Sequence, residues 1–165
     1  MDLLDKEILE FLEDNIDLID EGRWKDFYDS AAESTLFHHV GKITDVLLDS
    51  GINPLENSTE IFDNMFVRSK IKHLNIPAAI QTIGISAFYD STIEEVTIPE
   101  GVQEIPMECF EECTHLHTIT IPSSVTYIAP DAIWEDAVIV CPPGSFAAFW
   151  GEKRGFEVRL NDENR

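Results

Sequence analysis

A six-residue motif recurs four times along the chain and restricts the folds open to it. The copies run Ile61-Phe-Asp-Asn-Met65-Phe66, Ile83-Gly-Ile-Ser-Ala87-Phe88, Ile105-Pro-Met-Glu-Cys109-Phe110 and Ile128-Ala-Pro-Asp-Ala132-Ile133, with starts 22, 22 and 23 residues apart. A second motif follows the first three at matching offsets: Leu74-Asn-Ile76-Pro77, Val96-Thr-Ile98-Pro99 and Ile119-Thr-Ile121-Pro122. A unit this short cannot bury its own apolar residues, so a fixed period in the low twenties implies turns stacked into a solenoid, each covering the next. Alternation in segments such as Val96-Thr-Ile98 marks one short strand per turn. The proline that follows cannot donate a ladder hydrogen bond and ends the strand. Ile80, Val102 and Val125 return to the core at equivalent places, and the Ala-Phe pair or its replacements fills the opposite side of the coil.

The first 52 residues lack this period and read as helices. Leu4, Ile8, Phe11, Leu12, Ile16 and Ile19 form one apolar stripe at three- and four-residue steps, predicting a single helix that ends at Gly22. Trp24, Phe27, Tyr28 and Ala31 predict a second. Val40, Ile43, Val46, Leu47 and Leu48 predict a third, closed by Gly51 and Pro54. Their apolar faces need a partner, and the open end of the first solenoid turn needs a cover, so 1–52 is expected to be an N-terminal cap and 53–165 the repeats with a C-terminal cap. At the far end, Ser145 is placed to cap a short helix, and Phe156, Val158 and Leu160 alternate as a last strand. The polar residues 161–165 are expected to fray.

The pattern Ile-Gly-x-x-Ala-Phe, then Leu-x-x-Ile-x-Ile-Pro, then Val-x-x-Ile, resembles the BspA-type leucine-rich repeat. Residues 113–125, from Cys113 through Leu116, Ile119, Ile121 and Pro122 to Val125, match that consensus closely, and Cys141-Pro-Pro-Gly144-Ser145-Phe-Ala147 is similar to the family's C-terminal cap. The resemblance covers about 61–150. It implies a parallel-stranded solenoid; with the helical first third, which lies outside the family's pattern, the expected fold is α/β, a short leucine-rich-repeat solenoid of about 3.5 turns behind a helical N-terminal cap. It also implies protein–protein binding.

Charge separates the remaining functions. The chain carries 32 acids against 11 Lys and Arg, a formal net charge of −21, well outside the roughly two to eight usual for a small soluble domain. Residues 73–151 hold no Lys or Arg at all. Direct binding of nucleic acid is disfavoured, whereas a basic protein partner would neutralise the surface. Asp90, Glu112 and Glu135 each follow the end of the first motif by two residues, so they are expected to stack about 4.8 Å apart as a repulsive ladder, with Glu111 and Asp136 beside it. With Glu94, Glu95, Tyr89 and Trp134 they form the expected partner-binding face. Tyr and Trp are favoured as interface anchors. Glu10, Asp14, Asp17 and Glu21 step along the first helix and form a rival face.

No nucleotide loop, Walker loop or nucleophile elbow is present, and no carboxylate pair is marked for acid–base work, so the chain is not expected to be an enzyme or to need a cofactor. Cys109, Cys113, His115 and His117 are near one another in sequence and raise a zinc alternative. It is disfavoured, since the cysteines are expected in the core and the histidines outside, and no metal is expected. His38-His39 reads as a helix end. The N-terminus shows no basic, apolar export segment, no stretch approaches the length of a membrane span, and three cysteines fit free thiols, so a cytoplasmic location in a bacterium or phage-infected host is expected. By size and charge the chain resembles phage-encoded anti-defence inhibitors, including anti-CRISPR and DNA-mimic proteins. The leading expectation is an acidic inhibitor on the basic groove of a nuclease or host-defence effector. The alternatives are a generic leucine-rich-repeat interaction or adhesion scaffold and a small metal-binding protein.

Overall fold

In a computed structural model, in which residues 1–162 are described, four helices precede a coil of short parallel strands. The helices are α1 (Leu3–Asp14), α2 (Ile16–Asp20), α3 (Trp24–Glu33) and α4 (Val40–Asp49), with a 3-10 turn at Phe37–His39. The strands are β1 (Glu60–Ile61), β2 (Thr82–Ile83), β3 (Glu95–Thr97), β4 (Glu104–Ile105), β5 (Thr118–Thr120), β6 (Tyr127–Ile128), β7 (Val138–Cys141) and β8 (Val158–Leu160), with α5 (Phe146–Lys153) between the last two.

The coil has two strand-bearing sides. On one, β3, β5, β7 and β8 form a four-stranded parallel sheet, which a bridge from His73 to Glu95 extends by one rung. On the other, β1 pairs with β2 and β4 with β6. Both are in register, with Ile61 beside Ile83, Ile105 beside Ile128, and Val96, Ile119, Ile139 and Val158 in one inward column. A third side is built from the turns that end the first motif. There Phe66, Phe88 and Phe110, all fully buried, stack with ring centroids 4.9 Å apart, and Ile133 takes the fourth place. Backbone bonds tie these turns together: Phe66 N donates to Ala87 O (2.7 Å), Phe88 N to Cys109 O (2.9 Å) and Phe110 N to Ala132 O (2.7 Å).

The coil has about five turns, not 3.5. The undercount has a physical source at each end. The first rung is only a bridge at His73. The last two lie closer in sequence than the period predicts, since Ile119 pairs with Ile139 and Ile139 with Val158, 20 and 19 residues apart.

The helical region docks on the first turn through a buried polar joint. Thr44 Oγ1 donates to Met65 O (2.7 Å) and accepts from Tyr28 OH (2.8 Å). Asp45 accepts from Ser69 Oγ and from Lys70 N. Around it Phe11, Trp24, Phe27 and Tyr28 pack edge to face or tilted, and Tyr28 stacks on Phe62. Gly41 lies so close to the chain that a Cβ there would overlap the carbonyl of Val67. The expected single first helix is instead broken at Asn15, whose Nδ2 bonds Phe11 O (2.8 Å) while Ser30 Oγ donates to its Oδ1. The break turns Ile16 out of the apolar stripe, leaving it 48% exposed.

At the other end Ser145 caps α5, its Oγ accepting from Ala148 N at 3.2 Å. The expected last strand is present as β8. It joins the sheet as a further rung under β7, and Leu160 remains exposed. The expected frayed tail falls partly on residues 163–165, outside the described residues.

Candidate protein-interaction surface

The turn side of the coil carries the acids. Its backbone explains why they stand out. Arg68, Asp90 and Glu112 occupy one repeated position with φ of 57, 54 and 58°, and Asn64, Ser86 and Glu108 another with φ of 61, 55 and 56°. Non-glycine residues in this left-handed region cost about 1–2 kcal/mol each, here offset by hydrogen bonds between successive turns. Arg68 N donates to Tyr89 O (2.8 Å) and Asp90 N to Glu111 O (3.0 Å). The side chains at these positions are thereby directed away from the core, and Arg68, Asp90 and Glu112 are exposed.

Asp90 and Glu112 thus share one repeat position on successive turns, and two features differ from the expected ladder. Its first member is a base: Arg68 Nε lies 3.4 Å from Asp90 Oδ2, which relieves the charge expected to be unrelieved. Its centre shifts toward two acids absent from the expected set. Glu108 and Asp131 share the fourth position of consecutive motifs, and together with Glu111 they place three carboxylates within 4.8 Å of one another. Glu108 accepts from Ser86 Oγ (2.8 Å) and Asp131 accepts from Glu108 N (3.2 Å), so two of the three are anchored within the protein. Glu112 adjoins this cluster. The repeat period held the signal for both missed acids, because position four of one motif must stack on position four of the next.

Burial pushes the Glu111 carboxyl above its ordinary range, and Asp131, Glu108 and Glu112 push it the same way. Tyr89, half-buried beside them, is raised by burial and then by Glu112, Glu111, Asp90 and Glu108. A raised carboxyl binds its proton more tightly in the folded state. Its contribution to stability is complete below the unfolded value, about 4.3 for Glu, and is lost as pH rises through the folded value. Glu111→Gln is therefore expected to stabilise the protein at pH 7 by about 0.5 kcal/mol, or roughly 1–2 °C in Tm. The gain should vanish near pH 4, as read from thermal melts at both pH values.

The other expected site residues lie apart from this cluster. Glu95 begins β3 and Glu94 immediately precedes it, where Lys72 and His73 of the preceding turn approach to 3.9 Å. They are not part of an unrelieved ladder. Glu135 and Asp136 are exposed, Glu135 without the left-handed backbone of its counterparts, and Trp134 is half-buried against the core. The rival face does not share one helix: Glu10 and Asp14 are on α1, Asp17 on α2, and Glu21 caps α2 and pairs with Arg23 at 3.3 Å. A groove of about 250 Å³ flanks the acidic cluster, lined by Phe37, His38, Val67, Arg68, Tyr89 and Glu108 among others.

The zinc alternative finds no geometry. Cys109, Cys113 and Cys141 are free and buried, while His115 and His117 face outward. Cys113 Sγ donates to Phe88 O (3.0 Å), and burial pushes this thiol up to about 11 and that of Cys109 well above its ordinary value. Neutral thiols in the core are inert as ligands. Among the described residues no helix is long and apolar enough to cross a membrane.

No curated protein matches the chain. Among solved structures it is similar to a leucine rich cell surface protein from Faecalibacterium prausnitzii A2-165, with 19% identity over 51% of this chain and a TM-score of 0.28. The match spans 33% of that protein's length. The model for the BspA type leucine rich repeat region matches residues 32–137 in six copies. That match begins within the helical region and covers more than half of the sequence, so the chain belongs to the BspA-type leucine-rich repeat family.

Proposed function

We infer that this chain, a stacked-repeat solenoid of its family, works as a protein-interaction scaffold. Beyond that, we propose that this chain is a non-catalytic binder whose acidic turn face docks on a basic protein. The observation that carries the reading is the packing of Glu108, Glu111 and Asp131 within 4.8 Å of one another, with Asp90 and Glu112 beside them. Like charges so close oppose folding, and a basic partner relieves them on contact. The commonest extended basic surface in a cell is the groove of a nucleic-acid-binding protein. The specific form of the proposal is therefore an inhibitor that occupies such a groove on a nuclease or defence effector, in the cytoplasm, and excludes DNA or RNA.

Bacterial lysate cleared of nucleic acid, passed over the immobilised protein at low and high salt, tests this reading. A nucleic-acid-binding protein should be retained at low salt and released at high salt. The triple variant Glu111→Lys, Glu112→Lys, Asp131→Lys should lose at least 90% of it. The variant Glu10→Lys, Asp14→Lys, Asp17→Lys, with the same change in charge, should keep it. Equal loss in both variants would mean that net charge alone acts, and retention by the first would sink the site.

A second reading rests on the outer face of the four-stranded sheet. Thr97, Thr118, Thr120, Val138 and Val140 form an uncharged outward patch, bordered by Glu95 on one side and Arg159 on the other. A scaffold using that face would hold its partner independently of salt.

A further inference from the structure

The two ends of the solenoid are finished differently. Four helices seal the N-terminal end, and Ile61, Met65 and Phe66 of the first turn are fully buried. At the other end, among the described residues, the inward column that holds Ile119 and Ile139 at 0% exposure finishes in the half-buried Val158, and Leu160, beside Cys141 in the next row, is 58% exposed. Phe156 is also partly open, and Phe149 of α5 is 61% exposed. Among the described residues, the two buried side-chain polar atoms without a partner, Trp150 Nε1 and Asn161 Oδ1, both belong to this end.

Among the described residues, the backbone of β8 is paired on one side only, with β7. Ile139 N donates to Glu157 O (2.9 Å) and Asn161 N to Cys141 O (2.9 Å), so residues 157, 159 and 161 turn their peptide groups toward β7. By alternation, the N–H and C=O groups of Val158 and Leu160 point away from the sheet. Such an edge is a template for another strand.

Charge indicates which strand. Residues 1–66 carry a net −13 and residues 73–151 a net −11, but residues 152–162 hold three acids and three bases and are neutral. This is the end at which two copies meet with the least mutual repulsion. On its outer face the edge reads Glu157 then Arg159, two residues apart, with Arg159 Nη2 3.0 Å from Glu157 Oε1. An antiparallel copy centred on Val158 sets each Glu157 opposite the second copy's Arg159. The same register puts Val158 against Val158 and Leu160 against Phe156 on the core side. It also joins the two Val158 residues as a hydrogen-bonded pair.

We infer that β8 pairs antiparallel with β8 of a second copy of this chain, forming a two-fold dimer with one continuous sheet. The edge is self-complementary in backbone, in charge and in its apolar face, as an isologous interface requires. The partner-binding turn side stays free in both copies.

Sedimentation equilibrium of the full chain from 1 to 300 µM tests this, with circular dichroism confirming that each variant is folded. A dimer is expected. Arg159→Glu alone should weaken it at least tenfold by opposing acids across the axis, and Glu157→Arg combined with Arg159→Glu should restore it to within about threefold. Val158→Cys should form a disulfide-linked dimer on mild oxidation, because a hydrogen-bonded antiparallel pair has Cα atoms about 5.5 Å apart. Leu160→Cys should not. A protein that stays monomeric at 300 µM, or a dimer indifferent to the single reversal, would overturn the inference.

Discussion

Phe88→Ala should remove roughly 3–5 kcal/mol of stability, a large share of the 5–15 kcal/mol typical of a domain. Phe88 is the middle ring of the stack and is in contact at 4.9 Å on both sides, whereas Phe66 and Phe110 each have one such ring neighbour. The loss therefore includes two aromatic contacts as well as the cavity, and these rings add about 0.5–1.5 kcal/mol per pair beyond area. In a solenoid each turn is supported only by its neighbours. A void in the middle should thus lower cooperativity as well as the midpoint. Urea unfolding followed separately by far-UV dichroism and by tryptophan fluorescence provides the check. Trp24 lies in the helical region and Trp134 and Trp150 in the later turns, so the two probes should part company in the variant and coincide in the native protein. A loss below 1 kcal/mol with coincident transitions would show that the stack is not the spine of the fold.

Gly41→Ala should cost roughly 3 kcal/mol, against a local preference of the opposite sign. Within a helix, alanine is favoured over glycine by about 1 kcal/mol, so α4 taken alone would gain from the exchange. The added methyl, however, would overlap the backbone carbonyl of Val67, and a backbone group cannot swing aside as a flexible side chain can. Accommodating it means lifting α4 from the first turn and stretching the joint at Thr44, Met65 and Tyr28. Hydrogen exchange should show faster exchange across residues 1–52 with little change beyond residue 95. Stabilisation would mean that helix propensity governs this position and that the docking is loose.

The sequence carried the repeating part of this architecture because a solenoid writes its geometry as a period. The inward columns at Ile61, Ile83, Ile105 and Ile128 follow directly from 22- and 23-residue spacings. What the period did not carry lies where spacing or local chemistry departs from it. The last two rungs are 20 and 19 residues on and lack the Ile-Pro ending, so the final strand was legible from its alternation at Phe156, Val158 and Leu160 but its register as a further rung was not. The break at Asn15 was hidden because apolar residues continue past it at helical steps; the side-chain bonds to Phe11 O and Ser30 that fix it come from folding. At the acidic face, the ladder was legible at Asp90 and Glu112. Arg68 and the pair Glu108 and Asp131 occupy repeat positions that could have been read the same way. The half-burial that raises Glu111 depends on how closely the turns approach, and periodicity has no record of that.

A column sealed at one end and open at the other has a direction of failure. Removing the terminal rung of such a stack breaks one interface, while removing an inner one breaks two, so loss begins where the fewest contacts hold. Here that is the strand carrying Leu160, and the helices that close the opposite end make a start there more costly. Under a pulling force, or threaded into an unfolding machine, the chain gripped by its C-terminus should peel one turn at a time in small, even steps. Gripped by its N-terminus it should resist until the helical lid gives way, and only then run down. The same molecule would thus be brittle from one side and ductile from the other.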